Sequence, residues 1–203
     1  MSELTLLFSK LLVTDKLDLS EQEYNILNSV YDTTPFRQTN PDDLYTNDIG
    51  TDLEILNKDT LSFLKLKIMD LFNDFNKQIL KYDVQFQMTT SWFTHTKKEK
   101  YGEYHNHSNS MYSGVFYFSE ECSPIKFTNF NRGTSFGLIP TEYNVYNSTS
   151  WQVKPSKGTI LIFPSEMYHY VNISNNIRKS LAFNVVPTGK YGASDSKVNI
   201  NYA

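Results

Sequence analysis

The spacing of apolar residues divides the chain into two parts. Between residues 58 and 80, apolar side chains recur every three or four positions, as on one face of an amphipathic helix. They are Leu61, Leu64, Ile68, Phe72, Phe75 and Ile79. After Lys81 the period becomes two, and alternate residues of YDVQFQMTTSW (82–92) share one face of a strand. We therefore predict an amphipathic helix over 58–80, expected to act as scaffold, followed by a β-rich region.

Short strand-like segments fill the rest of this β-rich region. Turn-forming residues separate them, and no helix-length segment lies between them, so parallel βαβ units are not expected. The further predicted strands are 111–119, 124–129, 135–140, 142–147, 151–155, 158–164, 169–173 and 178–187. Many short antiparallel strands of this kind predict a sandwich, a barrel or a jelly roll.

The segment before the long helix carries weaker signals. An apolar run at 5–13 predicts a first strand. Ser20 and Glu23 have the spacing of a capping box, which predicts that a helix begins there. Residues 33–53 are rich in turn-forming residues and are expected to be irregular.

Length and composition indicate one folded domain. A chain of 203 residues with 14 Tyr and 14 Phe can bury a sizeable core, which excludes a disordered protein. The predicted fold class is α+β, mainly β: a double-stranded β-helix, or jelly roll, with N-terminal supporting helices. We expect a helical supporting region (1–81), a jelly-roll core (82–190) and a C-terminal tail (191–203).

Charge and cysteine content narrow the possible functions. The formal net charge is −3, and the only arginines are Arg37, Arg132 and Arg178, so no basic stripe is available and direct binding of duplex nucleic acid is not expected. The single cysteine, Cys122, excludes a disulfide framework and a cysteine-based zinc motif. No segment has the pattern of a signal peptide or a membrane span, so a cytoplasmic location is expected.

Three of the four histidines lie next to predicted strands. His105 and His107 are one residue apart, and residues i and i+2 of an extended chain point to the same side. His169 begins another strand, directly after FPSEMY. At one mouth of a jelly roll these imidazoles would cap a metal and leave its opposite positions open, as non-heme Fe(II) oxygen chemistry requires. The alternative is that His105 and His107 are exposed loop residues.

A possible anion site follows the third histidine. Arg178 and Ser180 are also two residues apart and share a face of the strand RKSLAFN. Arginine offers a planar fork to a carboxylate, and a serine hydroxyl can add a further hydrogen bond. Inside a barrel this pair would be costly without an anion. The alternative is an exposed arginine on an edge strand.

From about Trp92 to Pro187, the order and spacing of these motifs resemble the 2-oxoglutarate/Fe(II)-dependent dioxygenases, within the prolyl-hydroxylase-like group. More narrowly, HNHSNSMYSGVFYF, GTILIFPSEMYHYV and RKSLAFN are similar to a family of dioxygenases common in marine bacteria and their phages. The resemblance covers about half the chain. It implies a jelly roll that uses Fe(II), 2-oxoglutarate and O₂, and that hydroxylates a substrate with release of succinate and CO₂.

The resemblance also implies roles for individual residues. His105 matches the first iron ligand and His169 the distal histidine ligand. Arg178 matches the arginine that holds the distal carboxylate of 2-oxoglutarate, with Ser180 as its helper. Tyr117 stands where prolyl-hydroxylase-like enzymes place a tyrosine hydroxyl on the same carboxylate; the alternative is an ordinary aromatic residue of the barrel.

His107 departs from the family pattern, because a carboxylate usually occupies this position. Three neutral imidazoles would leave Fe(II) with its full double charge, and zinc or nickel also accept three histidines. If His107 points away, Glu103 or Glu166 would have to supply a carboxylate. His95 has no motif around it and is expected at the surface or just outside the site.

Two other functions are compatible with the sequence. One is a cupin-like enzyme, a dioxygenase or an isomerase, whose three histidines hold a metal without 2-oxoglutarate. The other is a non-catalytic jelly-roll binding module with incidental histidines. The substrate of an oxygenase, whether a protein side chain, a nucleobase or a small metabolite, stays open, as does the oligomeric state.

Overall fold

The computed structural model describes residues 9–128 and 138–202, and within these ranges twelve strands form two sheets. Every ladder between these strands is antiparallel. The strands are β1 (Val13–Lys16), β2 (Phe36–Gln38), β3 (Asp48–Gly50), β4 (Gln85–Thr96), β5 (Gly102–His105), β6 (Tyr112–Tyr117), β7 (Ile125–Thr128), β8 (Ser150–Val153), β9 (Thr159–Pro164), β10 (His169–Val171), β11 (Arg178–Tyr191) and β12 (Val198–Ile200). The predicted fold class, a mainly β jelly roll with N-terminal helices, is confirmed.

Helix α1 (Glu21–Asp32) begins where the capping box predicts. The Ser20 hydroxyl accepts a hydrogen bond from the Glu23 amide (3.2 Å), and the Glu23 carboxylate accepts one from the Ser20 amide (2.7 Å). This reciprocal pair satisfies two amides that the first turn of the helix would leave free. No helix within 9–128 or 138–202 combines the length and hydropathy needed to span a membrane.

Helix α2 (Ser62–Phe75) forms the central part of the helix predicted over 58–80. A 3₁₀ turn at Asp59–Leu61 precedes it, and a π turn at Asn76–Leu80 follows. Its apolar face packs against one face of the larger sheet. The centroid of the Phe72 ring lies 5.0 Å from that of the Phe86 ring and 5.4 Å from that of the Tyr112 ring. Ile79, predicted on this face, is 58% exposed because the π turn breaks the helical period.

The larger sheet has the strand order β1-β9-β6-β11-β4-β3-β2, with β12 paired to the end of β11. Alternate residues of β11 therefore face opposite layers. Leu181 and Phe183 belong to the core shared with the helices, whereas Ser180 and Ala182 face the second sheet. The Phe183 ring fits because Gly114 of β6 has no side chain: a Cβ there would lie 2.1 Å from Phe183 Cζ.

The smaller sheet has the order β5-β10-β7-β8 and faces the larger one. A second apolar cluster joins the two sheets, with Ile125, Phe127 and Val171 from the smaller sheet packed against Val115 and Phe163 from the larger. Since β5 and β10 also carry His105 and His169, this packing fixes two of the three metal-binding candidates relative to β11.

Several strand predictions are wrong. Residues 142–147 form turns, because the side chains of Asn144 and Asn147 hydrogen bond to nearby backbone groups and displace a ladder. Residues 138–140 are not in a strand, and the rest of the strand predicted at 135–140 lies outside the described residues. Of the strand predicted at 5–13, residues 5–8 also lie outside them, and β1 begins only at Val13.

Other strands have no counterpart in the prediction. Strands β2 and β3 lie in the segment expected to be irregular. Strand β3 pairs with β4, and β2 pairs with β3 at one edge of the larger sheet. Strand β12 lies in the C-terminal tail. Each is three residues long, which is too short to show a period.

Candidate metal and carboxylate site

Three histidines meet at the open edge between the sheets. His105 ends β5 and His169 begins β10, and the two residues are directly opposite in the ladder. His107 follows two residues later, and its backbone amide donates to the Ser165 carbonyl (2.9 Å). The ring centroids are 4.4 Å apart for His105 and His169, and 5.1 and 5.2 Å from each of these to His107. One nitrogen from each ring lies within 4.8 Å of the other two.

The backbone orients two of these rings. His105 Nδ1 is 2.8 Å from the Glu103 carbonyl oxygen, and His169 Nδ1 is 2.9 Å from that of Met167. A carbonyl oxygen can only accept, so Nδ1 carries the proton in both rings. Nε2 is then a lone-pair donor in each, which is the arrangement typical of metal-binding histidines.

Side chains from the larger sheet hold the third ring. His107 hydrogen bonds with the Asn184 side chain and stacks on Trp92, with 5.8 Å between ring centroids. Asn184 is itself fixed, because its oxygen accepts from the Ser113 hydroxyl (2.7 Å) and its nitrogen donates to the Thr90 hydroxyl (2.9 Å). His107 therefore faces the cluster rather than solvent.

No carboxylate joins the histidines within residues 9–128 and 138–202. The Glu103 carboxylate accepts a hydrogen bond from Asn40 (3.0 Å), and that of Glu166 pairs with Lys10 (2.9 Å) at the surface. Both acids suggested as substitutes for His107 are thus engaged elsewhere. The cluster consists of three imidazoles without a compensating negative charge.

Burial keeps two of the imidazoles neutral. Burial and, second to it, the nearby His105 ring lower the pKa of His107 to about 4 and that of His169 to about 3. A metal ion binds the unprotonated nitrogen, so these two residues are ready to bind a metal at neutral pH without losing a proton.

The fourth histidine lies outside this cluster. His95 is on β4, but its side chain faces the helices, where Nδ1 pairs with the Tyr31 hydroxyl beside the Phe36 ring. Burial lowers its pKa. The expectation of a surface residue or a close neighbour of the site is wrong, because β4 turns alternate side chains to the opposite layer.

A buried cation lies deeper between the sheets. Arg178 is only 4% exposed, because β11 runs between β4 and β6 and is not an edge strand. Its Nη2 donates to the Tyr117 hydroxyl at 3.3 Å, and its guanidinium carbon lies 4.9 Å from the centre of the Tyr117 ring. Neither its Nε nor the Ser180 hydroxyl has a hydrogen-bond partner in residues 9–128 and 138–202.

Thr96 completes this polar group, although no motif in the sequence points to it. Thr96 is directly opposite Arg178 in the ladder, and its hydroxyl is buried without a partner. Within the described residues, Thr96 Oγ1, Arg178 Nε and Ser180 Oγ are the only buried side-chain nitrogen or oxygen atoms left unpaired. An unpaired buried polar atom costs about 1–3 kcal/mol, so this group fits an anion with several acceptor oxygens.

One cavity of about 890 Å³ connects the histidines with Arg178 and Ser180. This volume is typical of small-molecule sites. Apolar side chains of both sheets form its inner wall: Trp92, Val115, Ile125, Val171 and Ala182. The region of β2 and β3 forms its outer wall through Arg37, Thr39, Asn47, Ile49 and Leu53.

Comparison with known proteins finds a family model that matches the middle of the chain. Residues 90–184, a little under half of the chain, match the model of a 2OG-Fe(II) oxygenase family. The matched segment contains all three histidines, Arg178 and Ser180. No curated protein matches in sequence.

Solved structures of several oxygenases share the fold. A Pseudomonas putida prolyl-4-hydroxylase is 15% identical with a TM-score of 0.59, over 88% of this chain and 93% of that one. A 2OG-Fe(II) oxygenase family protein from Burkholderia pseudomallei is 12% identical with a TM-score of 0.60, over 86% and 83%. HygX from Streptomyces hygroscopicus, bound to nickel, 2-oxoglutarate and hygromycin B, is 11% identical with a TM-score of 0.59, over 87% and 83%. At these identities the likeness shows the fold, and together with the family match it supports a place in the 2OG-Fe(II) oxygenase superfamily.

Proposed function

We propose that the protein is an Fe(II)- and 2-oxoglutarate-dependent dioxygenase that hydroxylates its substrate and releases succinate and CO₂. One observation carries the proposal: unpaired donors around a buried guanidinium share a cavity with three converging histidines. A buried cation without a counter-charge is costly, and a dianionic co-substrate would remove that cost. The family match of residues 90–184 supports the same chemistry.

The three imidazoles would hold the metal from one side. His105 and His169 would bind through Nε2, since their Nδ1 atoms are hydrogen bonded to the backbone. When bound, Fe(II) supplies the activation of O₂ that is coupled to decarboxylation of 2-oxoglutarate. The stacking of His107 on Trp92 and its hydrogen bond with Asn184 would keep the third ligand in place.

The buried polar group would hold the distal carboxylate of 2-oxoglutarate. Arg178 would neutralise it, and the hydroxyls of Ser180, Thr96 and Tyr117 would add hydrogen bonds. The lack of a carboxylate among the ligands would strengthen the attraction of this site for a dianion. The apolar walls of the cavity would exclude water from the reacting atoms.

The finer assignments rest on the sequence. The three motifs carry the likeness to the family of marine bacteria and their phages. We propose a cytoplasmic location because the sequence has no recognisable targeting pattern. Duplex nucleic acid is not expected as a direct partner because the chain has few arginines and no basic stripe.

A cupin-like enzyme without a co-substrate is the second candidate. The observation that favours it is the third imidazole, His107, at the position where a carboxylate is usual in 2-oxoglutarate enzymes. The cupin-like function leaves the buried donors of Arg178 and Ser180 without a ligand. Binding of 2-oxoglutarate therefore separates the two candidates.

Formation of succinate tests the proposal. The full chain is incubated in air with Fe(II), ascorbate and 2-oxoglutarate, and succinate is measured over time, since slow turnover without substrate is expected. We expect His169→Ala to abolish it and His95→Gln, on the opposite face of the sheet, to retain it. An iron-loaded protein that neither binds 2-oxoglutarate nor forms succinate would contradict the proposal.

A further inference from the structure

A second arginine faces the same cavity from its outer wall. A row of directly paired residues crosses the larger sheet from Arg37 on β2 to Ser180 on β11. Arg37 pairs with Ile49 on β3, Ile49 pairs with Thr94 on β4, and Thr94 pairs with Ser180. Residues directly opposite in a ladder project from the same face of the sheet. Arg37 therefore shares the cavity face with Ser180, and three strand spacings of about 4.8 Å place it roughly 14 Å away.

The charge of Arg37 has no partner in the part of the chain that the structure describes. Its guanidinium makes no ion pair or hydrogen bond with any residue in 9–128 or 138–202. Asp48, next to Ile49, projects to the opposite face and pairs with Lys97 (3.1 Å) and Lys100 (3.5 Å). The cation at the cavity wall is thus available to a ligand.

Apolar side chains form part of the cavity wall that Arg37 shares with the histidines, beside polar ones such as Thr90, Thr94 and Glu103. Ile49 and Leu53 line the outer part of the cavity, and Trp92 lines the inner part, where it stacks on His107. A ligand that extends from Arg37 to the histidines would have a cation at one end and the Trp92 ring beside the other. Since the cavity holds about 890 Å³, it has room for a small molecule beside 2-oxoglutarate.

We propose that the substrate is a small molecule with a carboxylate or phosphate group, which Arg37 binds, and with an apolar part that extends past Trp92 to the histidines. The inference rests on the proposed oxygenase function and names the class of substrate for it. Arg37 would recognise the substrate, whereas Arg178 would bind the co-substrate. The two cations differ in burial, because Arg37 is exposed at the mouth and Arg178 is enclosed.

Matched acids and alcohols test this proposal. Heptanoate, hexyl phosphate and the neutral 1-heptanol are titrated into the full chain, with quenching of Trp92 fluorescence as the signal in a Trp151→Phe background. We expect one or both acids to bind roughly tenfold more tightly than the alcohol, as one charged hydrogen-bonded contact at an exposed site would give. The acid that is preferred identifies the anionic group as carboxylate or phosphate.

Variants of single cations assign the preference to one residue. Arg37→Gln should remove the preference for the acids, Arg37→Lys should retain part of it, and Lys77→Gln, a change of an exposed cation on the helical layer, should leave it intact. Arg178→Ala should bind the preferred acid normally but lose 2-oxoglutarate, whereas Arg37→Gln should keep 2-oxoglutarate. As a check without mutation, affinity for the acid should fall with ionic strength.

Four results would overturn the proposal. They are no acid preference in the parent protein, no binding of any probe at millimolar concentration, an unchanged preference in Arg37→Gln, and an acid affinity that is independent of salt. If the parent fails to bind 2-oxoglutarate but shows the Arg37-dependent preference, the oxygenase function falls and the anion site stands.

Discussion

Arg178 offers the sharpest test of the co-substrate site. Arg178 is 4% exposed, and replacement by Ala removes a guanidinium whose one hydrogen-bond partner among the described residues is Tyr117. Hydrogen bonds to a charged group contribute about 1.5–3 kcal/mol each, and a bidentate contact to a carboxylate provides two, part of which is offset by desolvation. A net loss of about 2–4 kcal/mol corresponds to a roughly 30- to 1,000-fold weaker affinity for 2-oxoglutarate.

Calorimetry under anaerobic conditions measures this loss directly. The metal-loaded parent and Arg178→Ala are titrated with 2-oxoglutarate, and each is first titrated with the metal alone. Metal affinity should be unchanged, because Arg178 is not among the converging histidines. Arg178→Lys, which keeps the charge but lacks the planar fork, should be intermediate. Ser180→Ala and Thr96→Val should each weaken binding about 2- to 10-fold, the effect of a single neutral hydrogen bond.

The refuting results are specific. If Arg178→Ala binds 2-oxoglutarate as tightly as the parent, the distal carboxylate does not lie at Arg178. If the same variant loses metal affinity instead, the buried guanidinium supports the histidine cluster and the assignment of separate metal and carboxylate ends is wrong.

Three further changes test the scaffold and the histidine cluster. Phe72→Ala should lower the free energy of unfolding by about 3–5 kcal/mol, because the ring is fully buried between α2 and the sheet, and denaturant unfolding would show it. Asn184→Ala should weaken metal binding about 10-fold or more by freeing the His107 ring, whereas a purely structural role would change only stability. In metal-free protein, the pKa of His169 (about 3) lies below its unfolded value of 6.5, so the unfolded chain binds more protons. The free energy of unfolding should therefore fall as the pH drops from about 6.5 to 5. Urea titrations of His169→Gln should show a weaker dependence on pH.

The local periodicity of apolar residues predicts most of the fold. The three- and four-residue spacing around Phe72 and the alternation ending at Trp92 are signals within one segment, and the structure has α2 and β4 at those places. The strand predicted at 142–147 fails because Asn side chains compete for the backbone, an effect that apolar periodicity does not register. Strands β2 and β3 are recognised only from the structure, in which β2 pairs with β3 and β3 pairs with β4.

Some residues of the candidate site can be predicted from local spacing, and others become apparent only in the folded structure. His105 with His107 and Arg178 with Ser180 are i, i+2 pairs, so the sequence alone places each pair on one face. Cross-strand register, which links residues far apart in the chain, places Thr96 opposite Arg178 and brings Arg37 to the cavity wall. No local pattern distinguishes Thr96 from its neighbours Thr90 and Thr94, and Arg37 lies in a segment whose strand is too short for a period.

The central claim is that one site binds a metal and 2-oxoglutarate together. Anaerobic addition of Fe(II) and then 2-oxoglutarate to the full chain, followed by visible absorption spectroscopy, tests it most directly. We expect a metal-to-ligand charge-transfer band that needs both additions, that is absent in His169→Ala, and that needs far more 2-oxoglutarate in Arg178→Ala. A protein that binds Fe(II) but develops no such band at saturating 2-oxoglutarate would contradict the claim.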